Sequence, residues 1–191
     1  MRIRSQKGQS IAEFAMVLPL LVMLALGVIE VSFALFDQHV ITKLSREGAN
    51  LISRDSTIQD ATAALKAMSA RPVNFDNGSK VIFSVIKRGA TTGTANYNQL
   101  VLYQRYEYGN MTGDSTIRTS GSASFGGPPN YEATNSDNNT SLRVTNLPNT
   151  LAVTPGGMVY VTEIYTRHVL FTPFDRFGVN LPRTLYSIAY F

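Results

Sequence analysis

The first part of the chain carries one long, nearly uninterrupted run of apolar residues. Between Ile11 and Phe36 the only charged residues are Glu13 and Glu30. At about 1.5 Å per residue, a helix of this run is roughly 39 Å long, and a hydrocarbon core is about 30 Å thick. The pattern therefore predicts a membrane-spanning helix over about 14–36. A cleaved signal peptide is the alternative, although its apolar region is normally shorter.

The segment that follows is amphipathic. From residue 37 to residue 54 the apolar positions recur at three, four and seven residues, which is the spacing of one helical face. Those positions are Val40, Ile41, Leu44, Leu51 and Ile52. The pattern predicts one continuous helix over 9–54, with its lower half in the membrane and its upper half against a head. Gly48 costs such a helix about 1 kcal/mol relative to alanine, which indicates a close approach to a sheet.

The rest of the chain, residues 55–191, has the pattern of a mixed head. Thr57 to Ala70 predicts a short second helix with its N-cap at Asp55 or Ser56. Four β-branched and apolar runs predict an antiparallel sheet: 81–86, 100–106, 158–165 and 185–191. Residues 109–157 are rich in Gly, Ser, Thr, Asn and Pro, and predict a long flexible surface loop too polar to form a core. The fold class is therefore α+β.

The distribution of basic residues predicts the orientation of the membrane helix. Three of the 17 basic residues, Arg2, Arg4 and Lys7, precede the apolar run, and without them the chain is nearly neutral. Basic residues flanking a membrane helix stay on the cytoplasmic side, so the head is expected outside the cytoplasm. The remaining basic residues are scattered, and they give no stripe typical of nucleic-acid binding.

Candidate chemistry is sparse. The chain has no cysteine, which excludes disulfides and thiolate sites. We find no catalytic constellation, no phosphate loop and no dinucleotide fingerprint, so we expect no enzyme and no cofactor. His39 fits a solvated or packed side chain better than a metal ligand. Oxygen-bearing residues of the polar loop lack the spacing of a calcium loop, so no metal site is predicted.

The N-terminal string Lys7-Gly8-Gln9-Ser10-Ile11-Ala12-Glu13-Phe14 resembles a type IV prepilin processing site. In that family a basic leader is cut after a glycine, and a glutamate stands at the fifth mature position. The resemblance implies a leader of residues 1–8 and a mature chain beginning at Gln9. Pilins normally begin with a methylated aromatic residue, and Gln9 departs from that pattern.

Three motifs at the right mutual spacing narrow the resemblance. GQSIAEFAMVLPLL from Gly8, then Gly27-Val28-Ile29-Glu30, then Arg46-Glu47-Gly48-Ala49 together resemble the TadE-like pseudopilins of tight-adherence (Tad) pili. The family typically continues the last motif with arginine, where this chain has Asn50. The resemblance covers about residues 1–54. It implies cleavage by a prepilin peptidase and work with other Tad pseudopilins or the major pilin at an inner-membrane assembly platform.

The resemblance also gives roles to residues of the helix. Glu13 would neutralise the new α-ammonium of a neighbouring subunit, and Glu30 would face a partner helix; for both, an interfacial carboxylate that reaches water is the alternative. Pro19 removes one helical hydrogen bond and favours a kink, which either serves assembly or is incidental. The expected location is the bacterial inner membrane, in a single pass, with a periplasmic head and incorporation in a pilus as a further stage.

Two other functions stay open. One is an unprocessed, membrane-anchored periplasmic protein whose head binds a ligand or partner. The other is an exported enzyme with a signal anchor, for which the sequence offers no site.

Overall fold

A computed structural model describes residues 7–54, 56–148, 151–172 and 183–191, and the side chains from Ser10 onward. Helix α1 runs from Lys7 to Ser53 without a break and contains Pro19. At 1.5 Å per residue its 47 residues extend about 70 Å. From Ser10 to Ile29 almost every side chain is exposed, and we call this segment the shaft. The helix is long and apolar enough to cross a membrane by length and composition.

The upper part of α1 lies against a four-stranded antiparallel sheet. Its strands are β1 (Ser79–Arg88), β2 (Leu100–Gly109), β3 (Met158–Arg167) and β4 (Thr184–Tyr190), and their order in the sheet is β2-β1-β3-β4. All three pairings are antiparallel. A register shift between Val85 and Ile86 interrupts the pairing of β1 with β2.

The core between α1 and the sheet follows from alternation along β1. Val81, Phe83 and Val85 point to the helix side and are buried there with Ile41 and Ile52 of α1. Helix α2 (Ile58–Met68) completes this core. Since β1 is a central strand, its alternate residues are buried on the opposite face.

The polar segment after β2 covers that opposite face. Ile117 and Leu142 are buried, at 2% and 0% exposure, and a short 3-10 helix spans Thr140–Leu142. The expectation that this stretch is too polar to form a core needs correction, because its apolar residues are part of core clusters. Its few apolar residues lie far apart in sequence and join two clusters. Ile117 packs with Leu102 on the face opposite to α1, whereas Leu142 packs with Val101 in a separate cluster. The flexibility expected for 109–157 stays a prediction.

A buried polar centre holds the same segment down. The Glu163 carboxylate of β3, fully buried, accepts hydrogen bonds from Thr116 N, at 2.8 Å, and from Tyr186 Oη, at 2.8 Å. Ser115 links it to Arg105, whose Nη2 donates to Ser115 Oγ at 2.9 Å. Burial lowers the pKa of the Arg105 guanidinium, and the negative charge of Glu163 opposes that shift. The opposite charges of Glu163 and Arg105 thus offset part of the free-energy cost of burying each of them.

The α+β class and the layout of long helix, short helix and small antiparallel sheet are confirmed. The four strands fall where the sequence predicts them. The N-cap of α2 is a correction: Thr57 Oγ1 accepts from Asp60 N at 3.1 Å, one residue later than predicted. Residues 1–6 of the predicted leader, and Asp55, lie outside the described residues.

Candidate functional site

The processing residues lie at the start of α1. Lys7 begins the helix, so Gly8 and Gln9 belong to its first turn. The first turn of any helix leaves backbone N–H groups without intrahelical partners, which makes it the easiest turn to unwind for a protease. Glu13 follows one turn later, at the exposed base of the shaft. The roles predicted for these residues stay predictions.

The shaft exposes an apolar surface along its whole length. Ile11, Met16 and Leu20 are 71%, 81% and 66% exposed. Pro19 lies within this stretch, and α1 continues through it. So much exposed apolar surface is typical of a helix that is covered by lipid or by other apolar helices.

Glu30 marks the end of the shaft, because it is the first buried side chain of α1 from Ser10 onward, at 2% exposure. Its carboxylate accepts hydrogen bonds from Phe171 N, at 3.1 Å, and from Thr172 N, at 2.8 Å. The hydroxyl of Thr172 donates to the same oxygen. The carboxylate thus holds the turn that leaves the sheet after β3. We call residues 168–172 the foot.

His168 extends this contact into a cluster. Its Nδ1 lies 2.7 Å from Asp37 Oδ2, and its Nε2 lies 3.2 Å from Glu30 Oε1. Glu30 and Asp37 are seven residues apart, so two helical turns bring both carboxylates to one face of α1. A ring that carries both N–H groups donates to both carboxylates. The side chains of His168 and Glu30 are 2% and 3% exposed, and that of Asp37 is 13% exposed.

The cluster is built to fasten rather than to catalyse. The hydroxyl that touches it, Thr172 Oγ1, donates to Glu30, whereas an activated nucleophile would have to face the histidine. Among the described residues, no group of three or more metal-ligating side chains could hold a metal ion. A buried carboxylate that satisfies two backbone N–H groups and a histidine fixes the position of the foot on the helix.

The third motif seats α1 on the sheet. A Cβ on Gly48 would lie 2.8 Å from Thr162 Cγ2 and 3.3 Å from Phe83 Cε1, so only glycine lets the helix come this close. Ala49 is 1% exposed, whereas Arg46 is exposed. The close helix-to-sheet approach predicted at Gly48 is confirmed.

The predicted residues thus separate into three places along the helix. The processing residues and Pro19 lie on or below the shaft, Glu30 lies at the foot, and Arg46 to Ala49 lie at the sheet. The contact of Glu30 with a partner helix stays a prediction, and the isolated chain already supplies partners for its carboxylate. Sequence reasoning missed His168 and Asp37; the seven-residue spacing of Glu30 and Asp37 was the available signal.

A single apolar helix has a bare lower half that emerges from a head and an upper half that packs on the sheet of that head. This arrangement fits the single-pass anchor of a pilin-type protein. Within it, residues 8–50 match the TadE family model, described as TadE-like protein. The resemblance read from the three motifs is therefore confirmed over this segment, which lies entirely within α1. No curated protein and no solved structure matches the chain.

Proposed function

We propose that the protein is a minor pseudopilin that takes part in assembly of a Tad-type (type IVb) pilus after a prepilin peptidase cuts behind Gly8. The observation that carries this proposal is the placement of the processing motif. Gly8 and Glu13, five residues apart, stand at the very start of a bare apolar helix, within the segment that matches the TadE-like family. The family is not known for enzymes.

The leader has a physical role in this proposal. The charges of Arg2, Arg4 and Lys7 hold the N-terminus in the cytoplasm, where the peptidase acts at the membrane face. The absent side chain of Gly8 lets the backbone approach the protease. Cleavage removes the three charges together and exposes one α-ammonium on Gln9.

The mature helix then carries one positive and one negative group at its lower end. In an apolar environment an ammonium and a carboxylate attract strongly, so Glu13 of one subunit pairs with Gln9 of another. The pair sets the axial register of neighbouring helices. Pro19, within the shaft, lets the helix adapt as it moves from lipid to a packed bundle.

The head stays in the periplasm until assembly, and the subunit works with the prepilin peptidase, other Tad pseudopilins or the major pilin, and the inner-membrane platform. The exposed shaft supports this set of partners, since each of them meets the helix in or at the membrane.

The test is genetic. Deletion of the gene in the host bacterium is expected to abolish Tad pili in electron micrographs, and the wild-type chain is expected to restore them. A Gly8→Val chain, which blocks cleavage, should insert in the membrane but fail to restore pili, whereas a matched Gly127→Val chain should restore them. Normal piliation without the protein would overturn the proposal and favour the membrane-anchored binding protein.

A further inference from the structure

The foot lies at the height where the membrane is expected to end. From Ile11 to Glu30 the helix rises roughly 29 Å at 1.5 Å per residue, and a hydrocarbon core is about 30 Å thick. The foot is bonded to Glu30 itself. The predicted span of about 14–36 and the base of the head therefore overlap by almost two helical turns.

Within this overlap the foot exposes apolar side chains. Val169 is 54% exposed and Phe171 is 52% exposed. The Phe171 ring packs on Phe33 of α1, with 4.3 Å between the ring centroids. Phe36 of the helix lines the same groove as Phe171 and is 60% exposed. Phe33 and Phe36 also line a groove with Val28 and Ile29 of the shaft, so the apolar surfaces of the foot and of the shaft are continuous.

The rim of this surface carries charge. Exposed Arg71 lines the same groove as Phe33, Phe36 and Val169, and Asp37 lies beside it. Aromatic and aliphatic side chains bordered by a cation are typical of surfaces that rest in the headgroup and acyl boundary of anionic bilayers.

We propose that the foot is a second lipid-binding surface: Val169 and Phe171 enter the outer boundary of the same leaflet that the shaft leaves, and Glu30 holds them there. Lipid is the occupant because the surface continues the shaft and lies within the height of the bilayer. The proposal rests on the single-pass anchoring proposed above. It gives Glu30 a role within one subunit, in which the head is tied down to the membrane surface.

The chain has no cysteine, so single-cysteine variants report directly on depth. Full-length Val169→Cys protein, labelled with the environment-sensitive dye NBD, is inserted at low density in vesicles of phosphatidylethanolamine and phosphatidylglycerol. Leu20→Cys in the shaft is the reporter of anchoring. Thr92→Cys is the matched exposed control, since it follows Arg88 at the other end of β1, about 30 Å from the foot.

We expect lipids with a doxyl group near the headgroup end of the acyl chain to quench the dye at position 169. Lipids with a mid-chain doxyl group should quench the dye at position 20, and neither lipid should quench the dye at position 92. If the dye at position 20 is quenched while the dye at position 169 is as little quenched as that at position 92, the inference is overturned and the anchor stands. An unquenched Leu20 would instead overturn the anchor. If Val169 is shielded only as protein density rises, a second copy is the occupant and the lipid inference is wrong.

Glu30 is tested on the same reporter. Glu30→Ala is expected to abolish the quenching of Val169 and to leave the quenching of Leu20 unchanged. Glu47→Ala, on the same helix but away from the foot, should change neither. Quenching of Val169 that survives Glu30→Ala would overturn the role given to the carboxylate.

Discussion

The close contact of α1 with the sheet at Gly48 can be tested by adding one methyl group. The new Cβ would meet Thr162 Cγ2 at 2.8 Å and Phe83 Cε1 at 3.3 Å, and both residues are fully buried. Threonine is stiff at χ1, so it cannot turn away freely. Overpacking of a core costs about 1–3 kcal/mol, whereas alanine gains about 1 kcal/mol over glycine as a helix former. We expect Gly48→Ala to lower the free energy of unfolding by about 1 kcal/mol.

The assay is thermal unfolding of the full-length protein in detergent micelles, followed by near-ultraviolet circular dichroism of the head. For a chain of this size about 1 kcal/mol corresponds to a Tm lower by about 2–4 °C. Gly127→Ala is the control, since nothing lies within 4 Å of a Cβ there, and its Tm should be unchanged. A Tm raised by Gly48→Ala would refute the reasoning, because the helix propensity of alanine would then outweigh the steric clash with Thr162 and Phe83.

The partner residue gives a second check. Thr162→Ala removes both the methyl group that the new Cβ meets and a buried hydroxyl oxygen that has no hydrogen-bond partner among the described residues. In the Gly48→Ala/Thr162→Ala double variant the added methyl has room. Residues in contact couple by about 0.5–3 kcal/mol in such cycles, so the double variant should recover most of the loss. Strict additivity of the two changes would contradict a direct contact.

Two further predictions concern charged groups of the head. Glu163→Ala leaves half-buried Arg105 without its buried counter-charge and should cost about 3–5 kcal/mol in chemical denaturation. A loss no larger than that of Glu107→Ala, whose exposed carboxylate pairs with Lys80, would contradict the polar centre. Hydrogen bonds from Lys66 and then Tyr108 lower the pKa of the Asp76 carboxyl below its ordinary 3.8. Its contribution to stability is therefore present above that value and lost as pH falls through the folded pKa. Carbon-detected NMR titration should show a low midpoint that rises in Lys66→Ala, and a midpoint indifferent to Lys66 would refute the attribution.

The elements of the fold could be predicted from the sequence because each depends on a local pattern. The apolar run and the stripe that follows it predict one helix from its periodicity alone, and the four strands are dense in β-branched residues. The packing role of Gly48 could also be predicted, since glycine is unfavourable in a helix interior and a close packing contact explains its presence. The predicted N-cap of α2 is wrong by one or two residues, because several residues that can cap a helix are adjacent in sequence. Only the geometry of the folded chain selects Thr57.

The foot could not be predicted from the sequence. Glu30 and His168 are 138 residues apart, and no local pattern links a glutamate in an apolar run to a histidine after a strand. The packing of the segment after β2 on the second face of the sheet could not be predicted for a related reason. Ile117 is isolated among polar residues, and its burial depends on which face the chain crosses after β2.

The most direct measurement of the central claim is the mature N-terminus of the protein in its own membrane. Protein is extracted from cells with and without prepilin peptidase activity and analysed by intact mass and N-terminal peptide mass spectrometry. The account predicts a chain that begins at Gln9 when the peptidase is present and one that retains residues 1–8 when it is absent. A chain that still begins at Met1 in peptidase-competent, piliated cells would contradict it.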